Sequence, residues 1–164
     1  LALLPVPPRD LDARLAALEA EYAHDKQAVV YSGIVLAELG RWRDARARLE
    51  AVRGTPNIWD SQADLAELDA WLGLARAKDG DREGARRAFE ESLRVISIWR
   101  NGIDGLSYMH PRVELALAPI VWDAGDRVRA RYLAGLAITG ARRLGPFHDA
   151  ERVEAEAWLA AHPL

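Results

Sequence analysis

The stretch Trp71–Phe89, WLGLARAKDGDREGARRAF, decides the fold of the chain. An apolar helical run ends at Gly80, and a second run begins within two residues of it. Two helices that are joined so tightly are predicted to run antiparallel as a helical hairpin. Gly73 on the first helix and Ala85 on the second are small, so the two backbones can approach closely where the helices cross.

The same arrangement occurs three times along the chain. In each copy a small residue precedes a turn glycine by seven positions, and a second small residue follows that glycine by five. The three sets are Gly33, Gly40 and Ala45; Gly73, Gly80 and Ala85; and Ala118, Gly125 and Ala130. Repetition at a fixed spacing is typical of repeat architectures, so the chain is predicted to be an all-α stack of three helical hairpins.

Turn residues and prolines predict the helix boundaries. The hairpins are predicted at Lys26–Leu39 with Trp42–Val52, Ser61–Lys78 with Asp81–Ile98, and Pro111–Asp123 with Asp126–Thr139. A helix over Leu11–Tyr22 is predicted before them, and a terminal helix over His148–Ala161 after them. Residues 1–8 contain three prolines and are predicted to be an extended lead-in. Residues 9–164 then form a single domain, with repeats at about 26–59, 66–99 and 111–144.

Two features fit this pattern less well. Pro119 lies inside a predicted helix, and a proline in that position is expected to kink it. The terminal helix has an apolar stripe at Val153, Ala157 and Leu159–Ala160 but no predicted partner within the chain. Such a helix is expected to cap the stack or to dock onto something else.

Composition limits the classes of partner. A net charge of −3, with both signs interspersed, gives no electrostatic reason to expect a nucleic acid. No stretch has the roughly 20 apolar residues that cross a bilayer, so no membrane partner is expected. The sequence has no cysteine, which excludes disulfides and thiolate metal sites. We expect a cytoplasmic location, with a periplasmic one open because the chain begins at Leu1 and the true N-terminus is not visible.

The spacing of small residue, turn glycine and small residue resembles the tetratricopeptide repeat (TPR). Phe89 stands where that family favours an aromatic residue, and Pro56 lies near the proline that often follows the second helix. The connections at Met109-His110-Pro111 and Leu144-Gly145-Pro146-Phe147-His148 are similar to those of the kinesin-light-chain variety. The resemblance implies a right-handed superhelical solenoid with an N-terminal helix and a C-terminal capping helix.

The resemblance also implies a concave groove lined by the first helix of each hairpin. Carried over by register, its residues are Gln27, Val30, Tyr31, Ile34 and Glu38; Glu67, Ala70, Trp71, Leu74 and Lys78; and Arg112, Leu115, Pro119, Trp122 and Asp123. Apolar centres flanked by single charges suit an apolar peptide or helix, with the charges setting its direction. Trp71 and Trp122 could instead be core residues, as aromatic residues on a helix stripe usually are.

No pattern for catalysis, a cofactor or a metal is found in the sequence. The histidines, His24, His110, His148 and His162, lack metal-ligand spacing and are expected to cap helices or lie on the surface. No phosphate loop, nucleophile elbow or dinucleotide-binding glycine pattern occurs. The remaining enzymatic alternative is a groove carboxylate such as Glu67 or Asp123.

We therefore expect a protein–protein interaction module that binds a peptide or protein segment in the groove, as part of a larger bacterial-type signalling or assembly protein. The alternative is an assembly role. In that role the terminal helix around Trp158 and the apolar lead-in Leu1–Val6 would dock onto another copy or onto missing domains.

Overall fold

The computed structural model describes residues 10–22, 26–54, 62–96 and 108–164, and every element within these ranges is helical. The helices are α1 (Leu11–Glu21), α2 (Lys26–Glu38), α3 (Trp42–Arg53), α4 (Gln62–Lys78), α5 (Arg82–Ile96), α6 (Met109–Asp123), α7 (Arg127–Leu144) and α8 (Asp149–Ala161). A short 3₁₀ turn, Pro146–His148, connects α7 to α8. The predicted lead-in, His24, Pro56 and the ends of the first two predicted repeats lie outside the described residues.

The helices pair as the repeat predicts. α2 packs against α3, α4 against α5 and α6 against α7, and consecutive hairpins meet through α3 with α4 and α5 with α6. The first helices α2, α4 and α6 also contact one another in turn, which places them side by side on one surface. The prediction of an all-α stack of three hairpins is therefore confirmed.

The three hairpin turns share one geometry. Gly40, Gly80 and Gly125 have φ values of 76°, 90° and 95°, a left-handed conformation that glycine adopts without steric cost. At each turn the glycine N–H donates to the carbonyl three residues earlier, and the next N–H donates to the carbonyl five residues earlier. This pair of hydrogen bonds is the Schellman motif, which satisfies the last carbonyls of the first helix and directs the chain into the second.

Small residues at the helix crossings let the paired helices approach, and the pairing differs between copies. A Cβ atom at Gly33 would lie 2.9 Å from Leu49, and one at Gly73 would lie 2.5 Å from Phe89. In the third hairpin the corresponding residues are Ala118 and Ala134, both fully buried. All three hairpins thus cross at the same positions. In the first two, a glycine faces a large side chain of the partner helix, whereas in the third two alanines occupy these positions.

The terminal helix differs from the sequence-based expectation. We predicted no partner for it within the chain, but α8 packs against α7 and α6. The inward face carries Ala155, Trp158 and Leu159. Leu159 belongs to the predicted stripe, whose other members, Val153, Ala157 and Ala160, are exposed. The error has a physical reason: the buried Ala155 lets the helix lie close to α6 and α7, so a small residue marks the contact.

Two further expectations concern α6. The helix continues through Pro119 to Asp123, so the proline does not end it, and whether it bends the axis stays a prediction. The expectation that the histidines lie on the surface or cap helices is wrong for His110, which is buried beside Glu114 with Nδ1 and Oε1 3.8 Å apart. Among the described helices, none combines the length and apolarity needed to span a membrane.

Candidate functional site

The first helices and α8 enclose a cleft of about 770 Å³. Its lining comes from the C-terminal end of α2, from one face each of α4 and α6, from α8, and from the first two hairpin turns. The lining residues are Ala37, Glu38, Gly40, Trp42, Trp71, Leu74, Ala77, Lys78, Gly80, Arg82, Arg112, Leu115, Ala116, Pro119, Ile120, Ala150, Glu151, Glu154 and Trp158. Most of them are apolar, so the cleft suits apolar side chains of a ligand.

The floor of the cleft is set by helical spacing. Leu74 and Ala77 lie three positions apart on α4, and Leu115 and Ala116 lie four or five positions before Ile120 on α6, so each helix presents one face to the same space. α4 and α6 pack directly against each other. The two rows therefore form one continuous apolar surface.

An aromatic cluster fixes the position of α8, which forms one wall of the cleft. The Trp158 ring stacks on His162 at 4.1 Å between centroids and meets Trp122 edge-on at 5.7 Å. His162 Nδ1 lies 2.7 Å from the Trp158 carbonyl, and because a carbonyl oxygen only accepts, Nδ1 is the donor of this hydrogen bond. Arg131 on α7 donates to the carbonyls of Leu159 and His162, which ties the end of α8 to the preceding helix.

Arg112 joins four helices at the edge of the cleft. From α6, its guanidinium donates to Glu38 of α2 at 2.8 Å and to Glu151 of α8 at 3.2 Å. The same group lies over the Trp71 ring of α4, 5.3 Å from its centroid. Trp71 is only 4 % exposed, so Arg112 and the ion pairs that hold it form part of its cover.

Behind this junction, Glu67 is occupied by a contact of its own. Its carboxylate accepts a hydrogen bond from the Tyr108 hydroxyl. Burial, together with the negative charge of Glu67, raises the pKa of Tyr108 above its ordinary value, since both disfavour the phenolate. The pair supports α4 against the start of α6 and does not line the cleft.

The structure brings together seven of the groove residues expected from the sequence: Glu38, Trp71, Leu74, Lys78, Arg112, Leu115 and Pro119. The others lie elsewhere. On α2, Gln27 and Tyr31 are exposed and Ile34 packs against the core, to which Val30 and Ala70 belong. Three others have side-chain partners: Glu67 binds Tyr108, Trp122 joins the aromatic cluster, and Asp123 pairs with Arg82. Their part in partner binding stays a prediction.

Sequence reasoning missed the contribution of α8. Ala150, Glu151, Glu154 and Trp158 all line the cleft. A usable signal was present, because Gly145 and Pro146 begin a new helix just as the earlier connections begin the first helices of the hairpins. Treating α8 as one more first helix would have placed its inner face in the groove.

No feature of the described ranges marks a metal site. Within them, no three or more His, Asp or Glu side chains gather closely enough to hold a metal ion. The two carboxylates proposed for an enzymatic alternative both have partners, since Glu67 accepts from Tyr108 and Asp123 accepts from Arg82.

Comparison with known proteins gives the fold. No protein-family model and no curated protein matches the sequence. Three similar solved structures are of PcrH. The crystal structure of PcrH from Pseudomonas aeruginosa is 22% identical, covers 98% of each chain and gives a TM-score of 0.56.

The other two similar structures are complexes. PcrH with the chaperone binding region of PopB is 20% identical over 80% of this chain and 92% of that chain, with a TM-score of 0.57. PcrH with the chaperone binding region of PopD is 21% identical over 97% and 95%, with a TM-score of 0.57. At this identity the likeness shows the fold, and this chain is an all-α stack of the TPR-like class.

Proposed function

We propose that this chain is a non-enzymatic binding module that holds an apolar peptide or protein segment in the cleft between α4, α6 and α8. The observation that carries the proposal is the cleft itself, about 770 Å³ in volume and lined mainly by apolar side chains. Each large apolar side chain that a partner buries there contributes about 1.5–3 kcal/mol. Ordering a flexible segment offsets part of this gain, so we expect an affinity of about micromolar.

The similar structures agree with this use of the fold. Two of them hold PcrH with a segment of another protein, the chaperone binding region of PopB or of PopD. We propose that the cleft-lining residues Trp71, Leu74 and Leu115 contact the partner, with Glu38, Lys78 and Arg112 at its edges. A partner that extended further along α2 would reach Gln27, Tyr31 and Ile34.

The test is selection from a random 16-residue peptide library on phage, with the purified chain as bait. Ala150 lines the cleft and Ala157 does not, and both are exposed alanines of α8. Ala150→Trp is therefore expected to abolish recovery of the selected peptides, whereas Ala157→Trp is expected to leave recovery unchanged. Enrichment of no peptide, or equal recovery with both variants, would overturn the proposal. Substitutions of Trp71 or Trp122 are less suitable, since both rings pack against the core.

A second candidate function is assembly. Phe147 is 95% exposed, Leu164 79% and Val153 55%, so one end of the stack presents apolar side chains to solvent. We propose that, if this end mediates self-association, the mass measured by light scattering rises with concentration and Phe147→Ser lowers it. A mass that equals one chain at all concentrations would contradict self-association, although docking onto other domains of a longer protein would remain.

We also propose the finer features expected from the sequence. The long α7 leading into Gly145-Pro146-Phe147-His148 supports the kinesin-light-chain-like variety. The continuous series of contacts from α1 to α8 supports a single domain over residues 9–164. A cytoplasmic location and membership of a larger signalling or assembly protein are further parts of the proposal, testable by fractionation and by the flanking sequence.

A further inference from the structure

The charged side chains around the cleft are engaged unequally. Six of them line it: Glu38, Lys78, Arg82, Arg112, Glu151 and Glu154. Four form ion pairs, since Arg112 pairs with Glu38 and Glu151, and Arg82 pairs with Asp123. Lys78 and Glu154, both exposed, form no ion pair with any side chain in the described part of the chain.

These two charges lie on opposite sides of the cleft. Lys78 lies in the last turn of α4, and Glu154 lies in the middle of α8. α6 lies between these helices and packs against both. Axes of packed helices are 8–10 Å apart, so the axes of α4 and α8, each packed against α6, are up to about 16–20 Å apart. Apolar residues of α6, among them Leu115 and Ile120, occupy the space between.

Arg112 is less available to a partner than Lys78 or Glu154. Its guanidinium already donates to two carboxylates and lies over Trp71. A carboxylate from a partner would have to displace one of these and leave another charge without its partner, which opposes the exchange. Lys78 and Glu154 are therefore the lining charges that meet a partner without an ion pair of their own among the described residues.

We infer that the cleft selects an apolar segment that carries an acidic residue at one end, against Lys78, and a basic residue at the other, against Glu154. The inference rests on the proposed function and deepens it by naming the partner's charge pattern. An extended chain advances about 3.3 Å per residue, so a span of this size corresponds to at most about six residues between the two charges of the partner. In a helical partner, which rises about 1.5 Å per residue, it corresponds to at most about 13 residues.

The opposite charges of Lys78 and Glu154 determine the direction of the partner more than they strengthen its binding. An exposed ion pair is worth a factor of about two to five in affinity. A segment bound in the reverse direction would lose both attractions and meet a like charge at each end. The apolar floor supplies the affinity and the two charges decide the direction.

Peptides selected by the chain test this pattern directly. We expect those whose recovery is lost with Ala150→Trp to carry an acidic and a basic residue on either side of an apolar stretch, within one of these two limits of spacing. Bait with Lys78→Glu and Glu154→Lys together should select the opposite order of charges. Cleft-dependent peptides without a charge bias, or with a bias that the double reversal leaves unchanged, would overturn the inference and leave the proposed function standing. If no cleft-dependent peptide is enriched, both fail.

Affinity measurements on one selected peptide provide the second test. Lys78→Glu and Glu154→Lys are each expected to weaken binding about two- to fivefold, and the doubly reversed chain should recover its affinity for a charge-swapped peptide. Glu21→Lys, the same charge change at an exposed position of α1 away from the cleft, is the matched control. Equal weakening by Glu21→Lys and Glu154→Lys, or failure of the swapped peptide to rescue binding, would show that the two charges do not face the partner.

Discussion

Phe89 occupies the space that a side chain at Gly73 would need, since a Cβ atom there would lie 2.5 Å from Phe89 Cδ1. Phe89 is fully buried in the core, so its ring cannot move aside without disturbing its neighbours. Gly73→Ala is expected to lower the free energy of unfolding by about 1–3 kcal/mol, even though alanine is the better helix former. Urea denaturation followed by circular dichroism measures the change.

Gly135 provides the matched control for this substitution. It also lies inside a helix, but a Cβ atom there would have no neighbour within 4 Å. Gly135→Ala is expected to raise the free energy of unfolding by about 0.5–1 kcal/mol. Equal effects of the two substitutions would show that close packing at the crossing does not require glycine.

The turn glycines make a separate prediction, because their requirement is conformational. A Cβ atom at Gly80 would have no neighbour within 4 Å, but φ is +90° there. Gly80→Ala is expected to cost about 1–2 kcal/mol, and Gly80→Asn less, since asparagine adopts left-handed conformations more readily. Thermal denaturation compares the two variants, and an alanine variant as stable as the wild type would contradict this explanation of the repeat.

The contacts of Arg112 predict that its replacement lowers the free energy of unfolding, by an amount that depends on the shape of the new side chain as well as on its charge. Arg112→Gln removes two ion pairs and the cation over Trp71, and we expect a loss of about 1–3 kcal/mol. Arg112→Lys keeps the charge but lacks the planar fork, so its loss should be intermediate. Arg142, which makes a more exposed pair with Glu156, is the control, and Arg142→Gln should change stability by less than about 0.5 kcal/mol.

Asp79 and Asp69 are expected to affect stability in opposite directions as pH changes. Hydrogen bonds from Arg43, and then from Arg46, hold the pKa of Asp79 below its ordinary value. Burial raises the pKa of Asp69, although Arg53 donates to it. A depressed pKa contributes stability that is present above the unfolded pKa of about 3.9 and is lost as pH falls through the folded value. A raised pKa contributes stability that is lost as pH rises through the folded value.

Unfolding measured across pH 2–7 distinguishes the two residues. Asp79→Asn should reduce the loss of stability that the wild type suffers below about pH 4. The free energy of unfolding of Asp69→Asn should increase relative to that of the wild type as pH rises above about 4, because the wild type then loses the contribution of its protonated carboxyl. Parallel pH profiles for the two variants would contradict the opposite pKa shifts.

The hairpins could be predicted from the sequence because each depends on local chemistry. A left-handed glycine ends the first helix, and Asp81 accepts a hydrogen bond from the N–H of Gly84 to begin the second, at 2.9 Å. Asp126 does the same for Arg129 at 3.0 Å. These contacts span three residues, so the spacing of the residues along the chain contains the information.

The cleft was less predictable because its contacts span long separations. Arg112 meets Glu38 across 74 positions, and no periodicity indicates that the two would pair. The register of the tetratricopeptide repeat placed Arg112 and Glu38 in the groove, but as two independent charges. Among the charged residues that line the cleft, the ion pairs formed after packing leave Lys78 and Glu154 without ion-pair partners in the described part of the chain. Helical spacing predicts which face a residue occupies, but it does not predict which charges neutralise one another.

The docking of α8 supplies the last prediction. Trp158 is half-buried against Trp122 and His162, whereas Val153, in the stripe that the sequence favoured, is 55% exposed. Trp158→Ala is expected to cost about 2–3 kcal/mol and to speed amide hydrogen exchange throughout α8. Val153→Ala should stay within about 0.5 kcal/mol of the wild type and leave exchange unchanged. If Val153→Ala were the more damaging change, the helix would be docked through the opposite face, and the cleft would lose the wall that Trp158 supplies.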